Sequence, residues 1–197
     1  MPRGFSDEQM TNLHQKLVEV AFEKLHNTGI RKTTVEDLAR AANISTGAFY
    51  KFHPSKEALF FDVYEIAEEK LKMELMTVLQ NQTQITKQDL QRACRELIKS
   101  ETMQTLLQLM RKDELEYMLR NIAPDRVASH LKKDEEFLHS LFETLRSKNL
   151  NLKNDASLLI SYLQALFVLC YEKKNFEPFS DSIIDAFLDT IIDQFID

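Results

Sequence analysis

The stretch STGAFYKFHPSKEAL, residues 45–59, decides the fold that this sequence predicts. It indicates a very short helix that Pro54 ends, followed at Ser55 by the capped start of a long helix. Another short helix, at about residues 35–42, precedes it. Two short helices joined by a tight turn, with Thr and Gly exposed at the start of the second, are typical of a helix-turn-helix that reads DNA.

Capping patterns and helical periodicity extend the helical prediction to the whole chain. Thr34 and Asp37 form a capping box, while Gly29 and Asn43 suit the left-handed turns that end helices. We see no alternation typical of strands. Besides the short helix after Ser45, the predicted helices lie at about residues 7–27, 35–42, 56–80, 87–99, 101–111, 113–121, 125–147, 155–173 and 180–196.

Composition favours an all-α protein. The 197 residues include only three Gly and four Pro, and 44% are hydrophobic, which is enough for a packed core. Cys94 and Cys170 are far apart and form no disulfide framework. No apolar signal region opens the chain, and no window contains about 18 uninterrupted apolar residues. We therefore expect a cytoplasmic protein without a membrane partner.

Charge is spread unevenly along the chain. The net charge is −6, but residues 29–56 contain five Lys or Arg against two Asp or Glu. A local basic patch is sufficient for DNA binding even in an acidic protein. We predict a helix-turn-helix DNA-binding domain at residues 1–60, continuous through the long fourth helix with a helical effector-binding and dimerisation domain at residues 61–197.

The second short helix has two faces. Phe49 and Phe52, three residues apart, are expected to pack inward, whereas Thr46 and Gly47 face outward. Gly47 lacks a side chain, so the backbone at this position can approach a base or a thymine methyl group closely. The hydroxyl and methyl groups of Thr46 also suit a base edge.

Four more side chains near this helix suit DNA. Lys51 can reach guanine O6 and N7 or a phosphate, and the Tyr50 hydroxyl suits a phosphate oxygen. Lys56 lies in the first turn of the next helix, where free N–H groups attract anions. Thr34 begins the preceding helix and is a further candidate phosphate contact. The alternative is a plain three-helix head in which Gly47 only serves packing.

Residues 7–61, and above all TTVEDLARAANISTGAFYKFHPSKEALF at 33–60, resemble the TetR family of bacterial transcription regulators. The matching pattern is Thr–aliphatic–x–x–aliphatic–Ala, then Ser–x–Gly–x–aromatic–Tyr, then Ser–Lys–Glu–x–Leu. The resemblance implies a homodimer of about nine helices that binds a palindromic operator and whose second domain binds a small effector, most often as a repressor. It assigns the DNA contacts to Thr34, Ser45, Thr46, Gly47, Tyr50, Lys51 and Lys56.

Two positions depart from the family pattern. His53 replaces a customary aromatic residue, and its role stays open between a phosphate ligand and a partly buried ring. Asn43 replaces the customary turn Gly, which is a milder change because Asn tolerates the left-handed region.

Apolar side chains in the second domain suggest an effector cavity and a dimer interface. Met suits adaptable apolar pockets, although each candidate is also compatible with plain core. The candidate effector residues are Met103, Leu106, Met110, Tyr117, Met118, Phe137, Phe142 and Phe167. The last two helices have broad apolar stripes that suit half of an intermolecular four-helix bundle, or else a monomer's core hairpin. The candidate dimer contacts are Leu159, Leu163, Leu166, Ile184, Phe187, Leu188, Ile191 and Phe195.

The sequence gives little support to a metal site or to an enzyme. Acidic residues recur every fourth position from Asp181 to Asp197, but no His or Cys joins them, so a solvated acidic face is favoured. His14, His130 and His139 show no ligand spacing. We find no phosphate-cradling Gly loop, nucleophile elbow or HExxH motif. We expect no cofactor, no metal and no catalysis; the alternative to a regulator is a helical adaptor that binds no specific DNA.

Overall fold

The structure is a computed structural model that describes residues 6–109, 111–153 and 156–197. Within them it contains ten α-helices and a 3-10 helix, and the only strand-like pairing is an isolated bridge between Leu152 and Ile196. The all-α prediction is therefore confirmed, with a helix count close to nine. The α-helices are α1 (Asp7–Asn27), α2 (Val35–Ala41), α3 (Thr46–Phe49), α4 (Lys56–Gln80), α5 (Lys87–Lys99), α6 (Glu101–Leu109), α7 (Lys112–Leu119), α8 (Pro124–Ser147), α9 (Ala156–Tyr171) and α10 (Ser180–Phe195); the 3-10 helix is Lys173–Phe176.

Local sequence signals set the ends of the first helices. Gly29 follows α1 with a φ of 82°, and Asn43 follows α2 with a φ of 59°, so both adopt the left-handed region. The side chains of Thr34 and Ser45 accept hydrogen bonds from the third residue of α2 and α3, respectively. These caps separate two helices that would otherwise run together.

The chain divides into two compact units. Unit 1 comprises the residues up to Ala67 together with Gln108–Ser129, and unit 2 comprises Glu68–Leu107 and His130–Asp197. The boundaries fall within α4, α6 and α8. Unit 1 thus includes a segment, 108–129, that the sequence placed in the second domain. The assignment of one domain to DNA and the other to effector and dimer stays a prediction.

Unit 1 is built around an apolar core that fixes α3. Phe49 is fully buried in this core and Phe52 packs against it, as their spacing predicts. Burying a ring of this size contributes about 2 kcal/mol. The core also takes side chains from the later segment of the chain, namely Leu109, Met118 and Ile122.

Unit 2 has a second core, to which α10 and α9 contribute the most buried side chains. One face of α10 is buried in it, and the opposite face is polar or exposed. Among the residues that the structure describes, no helix is both long and apolar enough to cross a membrane.

Candidate nucleic-acid interface

The α2–turn–α3 segment presents one face of α3 to solvent. Thr46, Gly47 and Lys51 are exposed, and the side chain of Tyr50 is 57% exposed. The Phe49 ring on the opposite face anchors the helix and meets the Tyr50 ring edge to face, with the centroids 5.5 Å apart. The outward face predicted from the sequence is thus an outward face in the structure.

Gly47 has no packing reason to be glycine. Outside the local backbone, the nearest described atom that a Cβ at this position would meet is Ser45 Oγ, at 3.9 Å, which is an ordinary contact. Gly47 also lies within a helical turn, where alanine is the better residue. A glycine that neither packing nor backbone conformation requires suggests that something outside the chain approaches this surface closely.

Two predicted DNA contacts already have partners as helix caps. The N–H and O–H of Thr34 both donate to Asp37 Oδ2, at 3.3 and 2.7 Å. Ser45 Oγ accepts from the Ala48 N–H at 3.1 Å. The hydrogen bonds from Thr34, with burial opposing them, hold the pKa of Asp37 below its usual value. A phosphate at Thr34 therefore competes with an ionised carboxylate, whereas the Ser45 hydroxyl proton remains available in this bond.

The structure corrects the role expected for Lys56. Its ammonium group donates to three backbone carbonyl oxygens in the α1–α2 loop: those of Ile30 at 2.9 Å, Arg31 at 3.1 Å and Thr33 at 2.7 Å. An ammonium group has three N–H donors, so all are used within the protein. Lys56 holds the loop before α2 and has no donor left for a phosphate.

Glu114 holds the same loop through its backbone N–H groups, whereas Lys56 binds its carbonyl groups. Its Oε2 accepts from the N–H groups of Ile30 at 2.9 Å and Arg31 at 3.2 Å. Ile30 is fully buried, so its amide needs a partner inside the protein. The carboxylate of Glu114 also lies where a Cβ on Gly29 would be, with Oε1 at 2.9 Å. Nothing in the local sequence signals this contact, which joins residues more than 80 positions apart.

His53 is a buried ring, which settles the choice that the sequence left open. Its side chain is only 3% exposed, and Nδ1 lies 3.1 Å from Asp62 Oδ2. Arg126 donates to both Asp62 and Glu65. Burial alone would raise the pKa of Asp62, but the hydrogen bonds from His53 and Arg126 outweigh it and leave the pKa lowered.

The predicted effector residues do not all fall in one unit. Tyr117 and Met118 belong to unit 1, where Met118 is fully buried and the Lys56 ammonium lies 5.3 Å from the Tyr117 ring centroid. Met110 lies outside the described residues. The other candidates belong to unit 2: Met103, Leu106, Phe137, Phe142 and Phe167.

Unit 2 contains a cleft of about 220 Å³ that the sequence did not indicate. Its lining includes both apolar and charged side chains. Burial raises the pKa of the Cys170 thiol, which lies in its wall, to about 11. None of the predicted effector residues lines it. The lining residues are Ile98, Lys99, Gln104, Leu107, Cys170, Lys173, Asp181, Ile184 and Asp185.

The choice of dimer contacts stays a prediction, but most of the chosen residues lie inside the core of their own chain. Six of the predicted residues are buried in the core of unit 2 and have little surface left for a partner: Leu159, Leu166, Ile184, Leu188, Ile191 and Phe195. Phe187 is half-buried and Leu163 is 38% exposed. The large apolar side chains that these two helices leave exposed include Leu158, Ile160, Leu163, Val168 and Ile183, and we call the surface to which they contribute the α9–α10 face.

The regularly spaced aspartates of α10 largely form ion pairs. Arg95 contacts Asp185 and Asp189, and Lys173 lies 2.7 Å from Asp181. Exposed pairs of this kind add little stability, typically below about 1 kcal/mol each. An ion-paired acidic face accounts for the repeat.

The buried anchor, the capped turn and the open face of α3 define a helix-turn-helix protein. Residues 17–63 match the family described as "Bacterial regulatory proteins, tetR family". No curated protein matches the sequence significantly.

Solved structures match the whole fold. A protein from Mesorhizobium loti assigned to the TetR family is 20% identical, covering 94% of this chain and 95% of its own, with a TM-score of 0.65. A TetR family transcription regulator from Marinobacter aquaeolei is 16% identical, covering 98% and 100%, with a TM-score of 0.57. Thermus thermophilus FadR, a TetR family repressor in complex with lauroyl-CoA, is 21% identical, covering 92% and 94%, with a TM-score of 0.57.

Residues 17–63 therefore match the N-terminal domain of the TetR family of transcription regulators, and the fold of the whole chain is similar to that of solved TetR-family proteins. Members of this family are regulators and not enzymes.

Proposed function

We propose that the protein is a ligand-responsive repressor that binds a palindromic operator as a homodimer in the cytoplasm. The open face of α3 supports this most directly, because Gly47 is exposed, helical and free of packing constraints. A duplex in contact with this face explains why no side chain occupies the position.

Base reading is assigned to α3. Thr46 and Gly47 approach base edges, and Lys51 reaches a guanine or an adjacent phosphate. Tyr50 projects its hydroxyl beside them toward the backbone of the duplex.

Phosphate contacts come from the loop and the helix before the turn. Arg31, Lys32 and Arg40 are exposed in unit 1 and supply positive charge. They replace Lys56 as the candidate phosphate contacts, since its donors are already used.

Dimerisation is assigned to the α9–α10 face. Val168 is 60% exposed and Leu163 is 38% exposed, together with three further large apolar side chains on the same two helices. Several large apolar residues left open on neighbouring helices indicate a surface that a partner covers. A second copy of this chain covers it with the symmetry that a palindromic operator requires.

An apolar small molecule is proposed as the effector, bound within unit 2. The support is the resemblance to a family in which FadR from Thermus thermophilus was solved with lauroyl-CoA. Met103, Phe142 and Phe167 belong to the core of unit 2 and offer adaptable apolar surface. Ligand binding there is expected to lower operator affinity.

The test begins with selection of bound sequences from a random duplex pool by the full-length protein. An inverted repeat is expected, with half-sites one helical turn apart or a multiple of it. Gel filtration with light scattering then gives the stoichiometry on that duplex. A pool that yields no enriched sequence would favour the adaptor instead.

Effector response is tested on the selected operator with a series of acyl-CoAs of increasing chain length. Release of the duplex at micromolar ligand supports the proposal. Unchanged operator affinity across the series would exclude acyl-CoAs as the effector.

A further inference from the structure

The cleft of unit 2 has an apolar wall and a charged rim. Among the residues that line it, Leu107, Cys170 and Ile184 are buried and Ile98 is half-buried, whereas most of the charged side chains are exposed. The volume of the cleft is about 220 Å³, below the roughly 300–1,000 Å³ of sites for drug-sized molecules. The cleft therefore suits a small ligand with a short apolar side chain.

Two charged groups in this lining lack a hydrogen-bond partner among the described residues. The ammonium group of Lys99, at the end of α5, makes neither a hydrogen bond nor an ion pair. Asp185 on α10 lies 3.5 Å from Arg95 Nε, but the guanidinium donates its hydrogen bond to Asp189 instead. The side chain of Asp185 is 36% exposed. Its carboxylate is therefore open to a ligand.

The other two charged groups of the lining neutralise each other. Lys173 and Asp181 form an ion pair with a distance of 2.7 Å. Apart from this pair, the lining contains one ammonium group, that of Lys99, and one carboxylate, that of Asp185. A ligand with a single charge would satisfy one of these two groups and leave the other without a partner. A ligand that has both charges satisfies both groups through charge-assisted hydrogen bonds.

We propose that this cleft binds a small zwitterion with a short apolar side chain, of the class of the aliphatic α-amino acids. Lys99 binds the carboxylate of the ligand, and Asp185 accepts hydrogen bonds from its ammonium group. The apolar side chain of the ligand lies against Leu107 and Ile184. Because the stem of Lys99 is flexible and exposed, its ammonium group adjusts to the separation of the two ligand charges.

The cysteine in the wall does not make this a covalent site. Burial raises the pKa of the Cys170 thiol to about 11, so the thiol is protonated at neutral pH. A protonated thiol is a poor nucleophile, and Cys170 therefore adds to the apolar surface of the cleft.

This cleft differs from the apolar effector site proposed above. None of Met103, Phe142 and Phe167 lines it. Binding of a zwitterion is measurable without DNA and without acyl-CoA, so the test does not depend on whether the protein is a repressor.

The experiment measures binding to the full-length protein by isothermal titration calorimetry. The probes are leucine, 4-methylpentanoate, which lacks the ammonium group of leucine, and 3-methylbutylamine, which lacks its carboxylate. We expect one leucine per chain. Each truncated probe should bind at least about tenfold more weakly, because it leaves a charged group of the cleft without a partner. Glycine, which lacks the side chain, tests the contribution of the apolar wall in the same way.

Two variants assign the two charges. Lys99→Met should weaken leucine binding by about tenfold or more and should not weaken binding of 3-methylbutylamine, which has no carboxylate. Asp185→Asn should weaken leucine binding similarly and should not weaken binding of 4-methylpentanoate. Lys132→Met, at an exposed position of α8, is the control for the lysine. Asp189→Asn is the control for the aspartate, because it removes the other carboxylate beside Arg95 and does not line the cleft.

Three results would overturn the proposal. The first is that leucine, valine and phenylalanine all fail to saturate the protein at millimolar concentrations. The second is a truncated probe that binds as tightly as leucine. The third is an Asp189→Asn variant that weakens leucine binding as much as Asp185→Asn does. Circular dichroism checks that the variants are folded, and the series of probes on the wild-type protein decides the question if one of them is not.

Discussion

Replacing Gly47 by alanine should make the protein more stable and a weaker binder of its operator. A Cβ at this position would meet Ser45 Oγ at 3.9 Å and no closer atom outside the local backbone. Removing a glycine from a compatible helical position lowers the entropy of the unfolded chain. The expected gain in the free energy of unfolding is about 0.4–1 kcal/mol.

The loss on DNA comes from the same methyl group. If the backbone at Gly47 touches a base or a thymine methyl, one added methyl separates the surfaces and costs about 1–3 kcal/mol of specific binding. Leucine at this position should abolish specific binding and leave the fold intact. Urea unfolding gives the stability, and titrations on operator and scrambled duplexes give the affinity.

Gly29→Ala is the matched control for the stability measurement. Gly29 has a φ of 82°, and the carboxylate of Glu114 lies 2.9 Å from the position of the new Cβ. The same substitution should therefore destabilise the protein by about 1 kcal/mol or more. A destabilised Gly47→Ala variant, or full operator affinity in Gly47→Leu, would refute the reasoning about this surface.

Three further predictions concern Lys56, the leucines of α9 and α10, and Asp62. Lys56→Met should lower the free energy of unfolding by about 1–3 kcal/mol, because three carbonyl groups lose their donor. The same variant should leave the salt dependence of DNA binding unchanged in titrations at several salt concentrations. Leu163→Glu should give folded monomers by light scattering, whereas Leu188→Glu should unfold the protein by circular dichroism, because only Leu188 is buried in its own chain. The pKa of Asp62 is lower in the folded state than in the unfolded state. Its contribution to stability is therefore present above about pH 4 and is lost as the pH falls through the lowered pKa. The difference in urea midpoint between wild type and Asp62→Asn should shrink in acid.

The features predictable from sequence are those that neighbouring residues determine. The capping box of Thr34 and Asp37, the left-handed turn at Asn43 and the inward side of Phe49 depend on residues within one helical turn. The spacing of nearby residues determines these caps, turns and buried side chains, so the helix-turn-helix and the exposed face of α3 were predictable.

The roles of Lys56 and His53 were not predictable because distant residues determine them. Lys56 is held by carbonyl groups more than twenty positions earlier, and His53 meets a ring from α1. No residue close in the sequence to Lys56 or His53 indicates these partners.

Which apolar residues of α9 and α10 stay exposed was not predictable for a different reason. Helices α9 and α10 are apolar on more than one face, so periodicity does not show which face their own core covers. Leu188 on α10 is buried and Leu163 on α9 is exposed, although each belongs to an apolar stripe of its own helix.

The late segment that completes unit 1 has a consequence for synthesis of the protein. The core of unit 1 includes Leu109, Met118 and Ile122, and the α1–α2 loop is held by Glu114. A nascent chain that has reached Ala67 therefore lacks part of this core until about 60 further residues are made. At about 5–20 residues per second this delay is roughly 3–12 s. During that interval the emerging helix-turn-helix is unfinished, so a ribosome-bound chain is not yet able to compete with finished protein for DNA.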